Sequence, residues 1–246
     1  MKKLDEKPLY QWSDPEKIAA VKQIFNEVTP YYDRMNHLLS ARRDIAWRRF
    51  AIRRLPQNAA KILDLATGTG DVALDLVRSQ PQLEVVGVDF VQKMLDKAVE
   101  KTLLQGAHDR IRYVSADAMS LPFPNDQFDA AIIAFGLRNI PDRAGAIREM
   151  ARVVRPGGKV ITLEMTFPRN LKMRRFFFWY LNRAIPLMGK FAAGNREAYR
   201  YLSASIQDFI HPDVLIGIFA EAGLIQVRAF PLTLGITYLH EGVVPR

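Results

Sequence analysis

Short apolar segments alternate with helical segments from residue 57 onward, and this alternation restricts the chain to few folds. The strand-like segments are 61–66, 84–89, 111–115, 128–134 and 159–164. The intervening segments 71–80, 92–104 and 142–154 carry apolar residues at helical spacing. Because the strand-like segments are almost continuously apolar, we expect them to be buried on both faces. The alternation therefore predicts an α/β fold with a parallel sheet and helices on both faces.

The chain length suits a single domain, with additions on both sides of the alternating region. The predicted parts of this domain, 1–246, are an N-terminal helical cover at 15–55, a core at 57–167, a helical lid insertion at 168–209, and a last helix and strands at 210–246. Pro30 is expected to separate two cover helices, and residues 156–158 to form a turn before the fifth strand. The last part predicts a helix at 212–222 and strands at 224–230 and 234–239.

Composition excludes several kinds of site. The sequence contains no cysteine, which excludes disulfides, thiolate metal sites and cysteine nucleophiles, and we predict no metal site. No apolar run approaches the roughly 18–20 residues that span a bilayer. Residues 1–14 also lack the apolar segment of a signal peptide. We therefore expect a cytoplasmic protein, which could lie peripherally at the inner face of the membrane.

The strongest functional signal is a glycine-rich turn between the first strand and the first core helix. Residues 63–71 read LDLATGTGD, and Gly68 and Gly70 allow a ligand to approach the backbone where a Cβ atom would collide. Asp89 lies at the end of the second strand, nineteen residues after Gly70. A carboxylate at that position can accept hydrogen bonds from both ribose hydroxyls. The spacing therefore predicts a bound adenosine.

Two adenosine cofactors fit this pattern, because residues 68–73 also match the dinucleotide pattern G-x-G-x-x-G/A. The acidic residues Asp64 and Asp71 favour the alternative, S-adenosylmethionine. Carboxylates would repel the pyrophosphate of NAD, whereas S-adenosylmethionine carries a positive sulfonium and a positive ammonium group. In addition, Asp117 and Ala118 follow the third strand, where a carboxylate could accept a hydrogen bond from the adenine amine.

Together with residues 121–123, 126–129 and 155–158, these features resemble the class I methyltransferase fold. This Rossmann-like resemblance implies a seven-stranded, mostly parallel sheet whose last strand is antiparallel.

Three further segments, 25–49, 135–142 and 201–209, resemble the ubiquinone/menaquinone biosynthesis C-methyltransferase family specifically. Its cofactor pattern carries over to Thr69, Asp89, Asp117 and Ala118. The resemblance implies methylation of a ring carbon on a prenylated quinol, such as demethylmenaquinol. A methyltransferase of another small-molecule or lipid acceptor fits the same core.

Ring-carbon methylation requires a group that stabilises a phenolate, since loss of the hydroxyl proton makes the neighbouring carbon nucleophilic. Arg138 is the candidate for this role, because it is predicted to follow the fourth strand at the edge where such sheets bind ligands. Arginine is a poor base, so we expect it to act electrostatically. Asn139 could orient the hydroxyl, and Tyr32, Asp33 and His37 are secondary candidates for positioning or proton removal.

The insertion is both basic and aromatic. Lysine and arginine at 172, 174, 175 and 183 are interspersed with the aromatic run 176–180, and the whole chain has a formal net charge of +9. Such a helix could rest on an anionic membrane surface. The same aromatic residues could instead pack in the core or in a homodimer. The sequence has no nucleic-acid-binding signature, so we expect no nucleic acid partner despite the charge.

Overall fold

A computed structural model describes residues 13–188 and 196–246, apart from the side chains at 196 and 197. The predictions for residues 1–12 and for the insertion at 189–195 lie outside the described residues. The described chain forms a seven-stranded sheet in the order β3-β2-β1-β4-β5-β7-β6. The strands are β1 Lys61–Leu65, β2 Glu84–Asp89, β3 Ile111–Ser115, β4 Phe128–Ala134, β5 Val154–Met165, β6 Ile225–Leu232 and β7 Thr237–Val243. The last strand, β7, runs antiparallel to both of its neighbours, β5 and β6, while β1 to β5 pair in parallel, which confirms the predicted topology.

Helices cover both faces of this sheet because its strand residues alternate between two apolar cores. Ile62 and Val85 belong to one core, whereas Leu63 and Val86 belong to the other. The helices are α1 Asp14–Val28, α2 Tyr32–Leu39, α3 Arg43–Arg54, α4 Asp71–Ser79, α5 Gln92–Leu104, α6 Arg143–Val153, α7 Leu171–Trp179, α8 Arg196–Gln207 and α9 Pro212–Glu221. The first core contains residues of α3 and α4, and the second contains residues of α6 and α9.

The N-terminal cover contains three α-helices, so the prediction of two helices was wrong. Pro30 lies in a short 3₁₀ turn, Thr29–Tyr31, between α1 and α2. A second break follows at Ala41 and Arg42, both of which have positive φ angles. No residue pattern indicated this break, because residues other than glycine rarely adopt that conformation.

Two further boundaries differ from the prediction. Strand β5 starts at Val154 and continues through 156–158, where we expected a turn. The register shifts between Phe128 and Ala130 of the partner strand β4, so these residues form an irregular extension of the strand. The last strand begins at Thr237, because the predicted start at 234–235 lies in a 3₁₀ turn.

A third apolar core joins the cover to the insertion. It contains residues of α1, α2, α7 and α8, such as Val21, Met35, Phe177 and Tyr201, and includes Met94 of α5. After α7 the chain continues through a π-helical turn, Tyr180–Ala184. This packing places both additions beside the sheet edge at which β1, β2 and β4 end. Within the described ranges, every helix is too short or too polar to cross a membrane.

Candidate active site

A cavity of about 620 Å³ lies at the carboxyl edge of the sheet. Residues that follow β1, β2, β3 and β4 line it, together with Phe25 and Tyr32 of the cover. The lining residues after the strands include Ala66, Gly68, Asp89, Phe90, Val91, Ala116, Ala118, Phe135, Gly136, Asn139 and Ile140. Its position is where doubly wound sheets bind ligands. We call it the cofactor cavity.

The backbone around this cavity adopts conformations that most residues avoid. Gly68 and Gly70 have φ angles of +56° and +81°, as expected for the glycine-rich turn. Ala66 and Phe135, which follow β1 and β4, also have positive φ angles of 52° and 60° although they carry side chains. Such strained residues occur mostly at functional sites, where the surrounding structure holds them.

Asp89 is the buried carboxylate of the cofactor cavity. Its Oδ2 accepts a hydrogen bond from the Gly68 amide at 2.9 Å, and its Oδ1 accepts one from the Val91 amide at 3.0 Å. Burial raises the pKa of Asp89, although these amides favour the charged form. The two hydrogen bonds fix the carboxylate and leave lone pairs that can accept from a ligand hydroxyl.

The structure brings only some of the predicted cofactor residues into the cavity wall. Gly68, Asp89 and Ala118 line the cavity. Asp117 is exposed, and its Oδ1 accepts a hydrogen bond from the Met119 amide at 2.9 Å in a local turn. Gly70 packs against Tyr113, so a side chain at that position would collide with the tyrosine ring. Gly70 therefore supports the turn on the side that faces Tyr113 and is not among the residues that line the cavity.

The other three predicted polar residues bind protein groups. The Thr67 hydroxyl donates to Asp64, which is 1% exposed, and the Thr69 hydroxyl donates to Asp33. Asp71 pairs with Lys101 at 2.5 Å and with Arg48 at 3.2 Å. Burial alone would raise the pKa of Asp71, but these cations outweigh it and the pKa is lowered.

These pairs form a network, which we call the cover network, between the cover and the glycine-rich turn. Lys101 of α5 also pairs with Asp33 of α2 at 2.7 Å. Asp71 is therefore already neutralised by protein cations, so it contributes less to selecting a cationic cofactor than the sequence suggested.

Asp64 predicts a distinctive pH dependence of stability. Burial raises its pKa to about 7, above the value of an exposed aspartate, so the folded state holds a proton that the unfolded state releases. Stability contributed by this group is present at low pH and is lost as the pH rises from about 4 to 7. We expect Asp64→Asn to gain stability relative to wild type over that range, on the order of a few kcal/mol. Urea unfolding at several pH values measures this, and a constant difference between the two proteins would contradict it.

A second cavity, of about 560 Å³, adjoins the cofactor cavity and shares Tyr32 and Phe135 with it. We call it the acceptor cavity. Its other lining residues are Asn36, Leu39, Ser40, Asp44, Trp47, Arg48, Arg138, Met165, Ile185, Leu202 and Ile206. A third cavity, of about 440 Å³, shares Tyr32, Asn36, Arg138 and Leu202 with it. Tyr32 therefore lies where all three cavities meet.

Arg138 is 6% exposed and forms an ion pair with Glu164, which is 2% exposed. Its Nη1 donates to Glu164 Oε1 at 2.5 Å and to the Phe135 carbonyl at 2.7 Å. Its buried Nε has no hydrogen-bond partner among the described residues. Buried donors are normally paired, so this nitrogen marks a position where a ligand oxygen can bind. Sequence analysis missed Glu164, which lies 26 residues from Arg138.

The remaining predicted catalytic residues lie at different distances from Arg138. Asn139 lines the cofactor cavity and the third cavity, and its Oδ1 accepts a hydrogen bond from Tyr201 at 3.3 Å. Burial raises the pKa of Tyr32, so at neutral pH its phenol is a hydrogen-bond donor and a poor base. His37 Nδ1 lies 2.8 Å from Asp44 Oδ2. Asp44, which the sequence analysis did not select, lines the acceptor cavity.

The cofactor cavity fits S-adenosylmethionine by its shape and donor set. It combines a buried, amide-fixed carboxylate at Asp89 with apolar walls at Phe90, Val91 and Ala118. A ribose would meet the carboxylate, and an adenine ring would meet the apolar walls. Phe90 and Val91 were not predicted, although their position directly after Asp89 is a usable signal.

Comparison with known proteins agrees with this geometry. The chain matches the sequence model of the ubiE/COQ5 methyltransferase family over residues 13–244. A demethylmenaquinone methyltransferase of Thermus thermophilus is 43% identical over 223 residues, which cover 90% of this chain and 100% of that protein. The ubiquinone/menaquinone biosynthesis C-methyltransferase UbiE of Hahella chejuensis is 40% identical over 232 residues, which cover 93% of this chain and 92% of that protein.

A solved structure supports the fold. Phosphoethanolamine N-methyltransferase 2 of Haemonchus contortus, in complex with S-adenosyl-L-methionine, has a TM-score of 0.62 and 16% sequence identity. The match covers 81% of this chain and 52% of that protein. The predicted class I methyltransferase fold is thus confirmed. The family match spans nearly the whole chain, cover and insertion included, and the chain therefore belongs to the ubiE/COQ5 methyltransferase family.

Proposed function

We propose that the chain methylates a ring carbon of a prenylated quinol with S-adenosylmethionine, converting demethylmenaquinol to menaquinol. Arg138 carries this proposal, because it lines a cavity that adjoins the cofactor cavity and its buried Nε has no hydrogen-bond partner among the described residues. The names of the Thermus and Hahella relatives support the same substrate class.

Each site residue has a distinct task in this reaction. S-adenosylmethionine supplies an electrophilic methyl group on a cationic sulfur. The hydroxyl proton passes to water, Arg138 stabilises the resulting phenolate oxygen beside the reacting carbon, and Glu164 holds the guanidinium in place. After methyl transfer the ring carbon loses its proton and the oxygen regains one, so one proton is released to water overall. Asn139, held by Tyr201, orients the hydroxyl, while Tyr32 closes the junction of the cavities against water. Asp33 and His37 support this arrangement from the cover.

The cofactor residues fall into two groups in this proposal. Asp89 binds the ribose hydroxyls, while Gly68 and Ala118 form the surrounding wall. Asp64, Thr69 and Gly70 hold the glycine-rich turn in shape from beneath. Asp117 lies beside Ala118 and borders the adenine end of the cavity.

The third cavity suits the start of the prenyl tail. Its walls are largely apolar, with Ile24, Phe25 and Val28 from α1 and Ala198 and Leu202 from α8. It borders Arg138 and Asn139, so a tail there would begin beside the ring.

Anaerobic incubation with S-adenosylmethionine and a short-chain demethylmenaquinol tests the function. We expect one methyl group on the ring carbon, identified by mass spectrometry and NMR. S-adenosylhomocysteine should raise the melting temperature, whereas NADH should leave it unchanged. Methylation on oxygen, or of an unrelated acceptor only, would contradict the proposed reaction.

We also propose that the segment 171–188, which contains α7 and the helical turns after it, docks on an anionic membrane surface, at the inner face of the membrane. Five large apolar side chains in this segment are more than half exposed: Leu171, Phe176, Phe178, Trp179 and Leu187. Basic side chains at 172, 174, 175 and 183 are exposed among them. Aromatic and basic groups on one surface complement anionic lipid headgroups, and a prenylated acceptor resides in the same bilayer.

Vesicle flotation tests this docking. The double substitution Phe178→Ser with Trp179→Ser should weaken binding to anionic vesicles by about tenfold or more, because two exposed aromatic side chains are lost. Leu103→Ser with Leu104→Ser, which alters an exposed pair on α5, is the matched control and should bind as wild type does. Absence of wild-type binding would reject membrane docking, and sedimentation as a dimer that Phe178→Ser dissociates would assign the surface to a second copy.

A further inference from the structure

The acceptor cavity has a second polar wall, formed by a cluster at the junction of α2 and α3. Asp44 is 4% exposed and lies at its centre. Its Oδ1 accepts a hydrogen bond from the Ser40 hydroxyl at 2.6 Å. Its Oδ2 lies 2.8 Å from both His37 Nδ1 and Arg48 Nη1. Of these groups, Ser40, Asp44 and Arg48 line the acceptor cavity.

Each donor group at this wall already contacts a protein acceptor. Arg48 directs its three guanidinium nitrogens to three carboxylates, those of Asp44, Asp71 and Asp75. The Ser40 hydroxyl proton is committed to Asp44. The indole N–H of Trp47, also in the cavity wall, donates to Thr233 at 2.8 Å.

An acceptor remains at the same wall. A carboxylate offers about four lone-pair sites, and Asp44 uses three of them, two on Oδ2 and one on Oδ1. Oδ1 can therefore accept one more hydrogen bond. The part of the cavity wall formed by Arg138 provides a donor instead, because its buried Nε has no hydrogen-bond partner among the residues that the structure describes. One wall of the acceptor cavity thus offers a donor and the other offers an acceptor.

We propose that Asp44 binds the second hydroxyl of the quinol and thereby restricts the site to reduced, dihydroxylated acceptors. This inference rests on the proposed function. The oxygen beside the reacting carbon binds Arg138, and the hydroxyl beside the tail-bearing carbon donates to Asp44 Oδ1. An oxidised quinone presents a carbonyl there, which has no proton to donate and faces a buried carboxylate. Asp44 is a specificity-determining residue, and it takes up no proton in this scheme.

Two monohydroxy ligands isolate this contact. In 3-dimethylallyl-1-naphthol the hydroxyl beside the reacting carbon is kept and the second hydroxyl is missing. In 2-dimethylallyl-1-naphthol the second hydroxyl is kept and the other is missing. The reference ligand is 2-dimethylallyl-1,4-naphthalenediol, kept reduced. Their Kd values are measured by calorimetry in the presence of S-adenosylhomocysteine, so the readout does not depend on turnover.

Wild type should bind the diol about 10- to 100-fold more tightly than 3-dimethylallyl-1-naphthol, as expected for loss of one hydrogen bond to a charged acceptor. In Asp44→Asn that ratio should fall to about threefold or less. The ratio of the diol to 2-dimethylallyl-1-naphthol should be the same in both proteins. A purely structural role for Asp44 would weaken binding of all three ligands together and leave both ratios unchanged.

Asp75→Asn is the matched control, because Asp75 also pairs with Arg48 and is not among the residues that line the acceptor cavity. Both ratios should stay at their wild-type values in this variant. If Asp44→Asn fails to fold, the wild-type measurement still decides, since a ratio below about threefold for the diol over 3-dimethylallyl-1-naphthol overturns the inference. If the wild-type protein methylates the diol but its Kd ratio for the two ligands stays below that limit, only the role of Asp44 is refuted. Wild type that does not methylate the diol refutes the proposed function itself.

Discussion

Replacing Arg138 by lysine is expected to lower kcat/KM for a short-chain demethylmenaquinol by about 10²- to 10³-fold, the usual cost of losing one donor to a developing oxyanion. Lysine keeps a positive charge beside Glu164, which avoids leaving that 2% exposed carboxylate unpaired. It lacks the planar guanidinium, so it cannot contact Glu164 and a ligand oxygen together as arginine can. Steady-state methylation with saturating S-adenosylmethionine measures the loss.

Cofactor binding provides the internal control for this variant. Arg138 lines the acceptor and third cavities and is not among the residues that line the cofactor cavity, so the Kd for S-adenosylhomocysteine should stay within about threefold of wild type. Arg143→Lys is the matched variant. Arg143 is a half-buried arginine five residues after Arg138, and its guanidinium packs over the ring of Phe209. Equal losses in the two variants would show that Arg138 acts only through folding.

Asp89→Asn is expected to weaken S-adenosylhomocysteine binding by about 100-fold. In the proposed function the carboxylate accepts the two ribose hydroxyls, and hydrogen bonds to a charged group contribute about 1.5–3 kcal/mol each. The amide has nearly the same shape but loses the charge and turns one acceptor into a donor. Isothermal titration calorimetry measures the change, and at saturating cofactor kcat should recover much of its wild-type value.

An exposed aspartate in the next helix supplies the comparison. Asp96 of α5 accepts a hydrogen bond from Gln92 on the surface, and Asp96→Asn should bind S-adenosylhomocysteine as wild type does. If Asp89→Asn also retained wild-type affinity, the assignment of the ribose to the end of β2 would be wrong.

The bounds of several strands were predicted correctly because the burial of a strand can be inferred from the apolar residues of that short segment alone. The predicted bounds of β2 and β4 agree with the structure, since a strand buried on both faces must be apolar throughout. The bounds of β3 also agree, but β3 is an edge strand with exposed Arg112 and Ser115, so the expected burial on both faces was wrong for it. The direction of the Asp64 side chain could also be predicted from the sequence. Side chains alternate along β1, so Asp64 lies on the same face as Ile62 and on the opposite face from Leu65, which lines the cofactor cavity.

The features that sequence analysis missed depend on contacts between distant segments. Glu164 meets Arg138 only because β4 and β5 pair in register and both end at the same edge. The positive φ angle of Phe135 is held by tertiary contacts, including the hydrogen bond that its backbone N–H donates to the Leu163 carbonyl at 2.7 Å. Asp44 lies far along the chain from Arg138, and only the folded cover places both in one cavity. No local pattern in the sequence encodes these arrangements.

The cover network has a consequence for the order of events during turnover. Tyr32 forms part of the wall around a ligand in the cofactor cavity, and its helix α2 is held to α5 by the ion pair between Asp33 and Lys101. Rising ionic strength weakens such half-buried charge pairs, while the apolar interior beneath them is little affected. Departure of the spent cofactor should therefore quicken with added salt well before the sheet itself begins to melt.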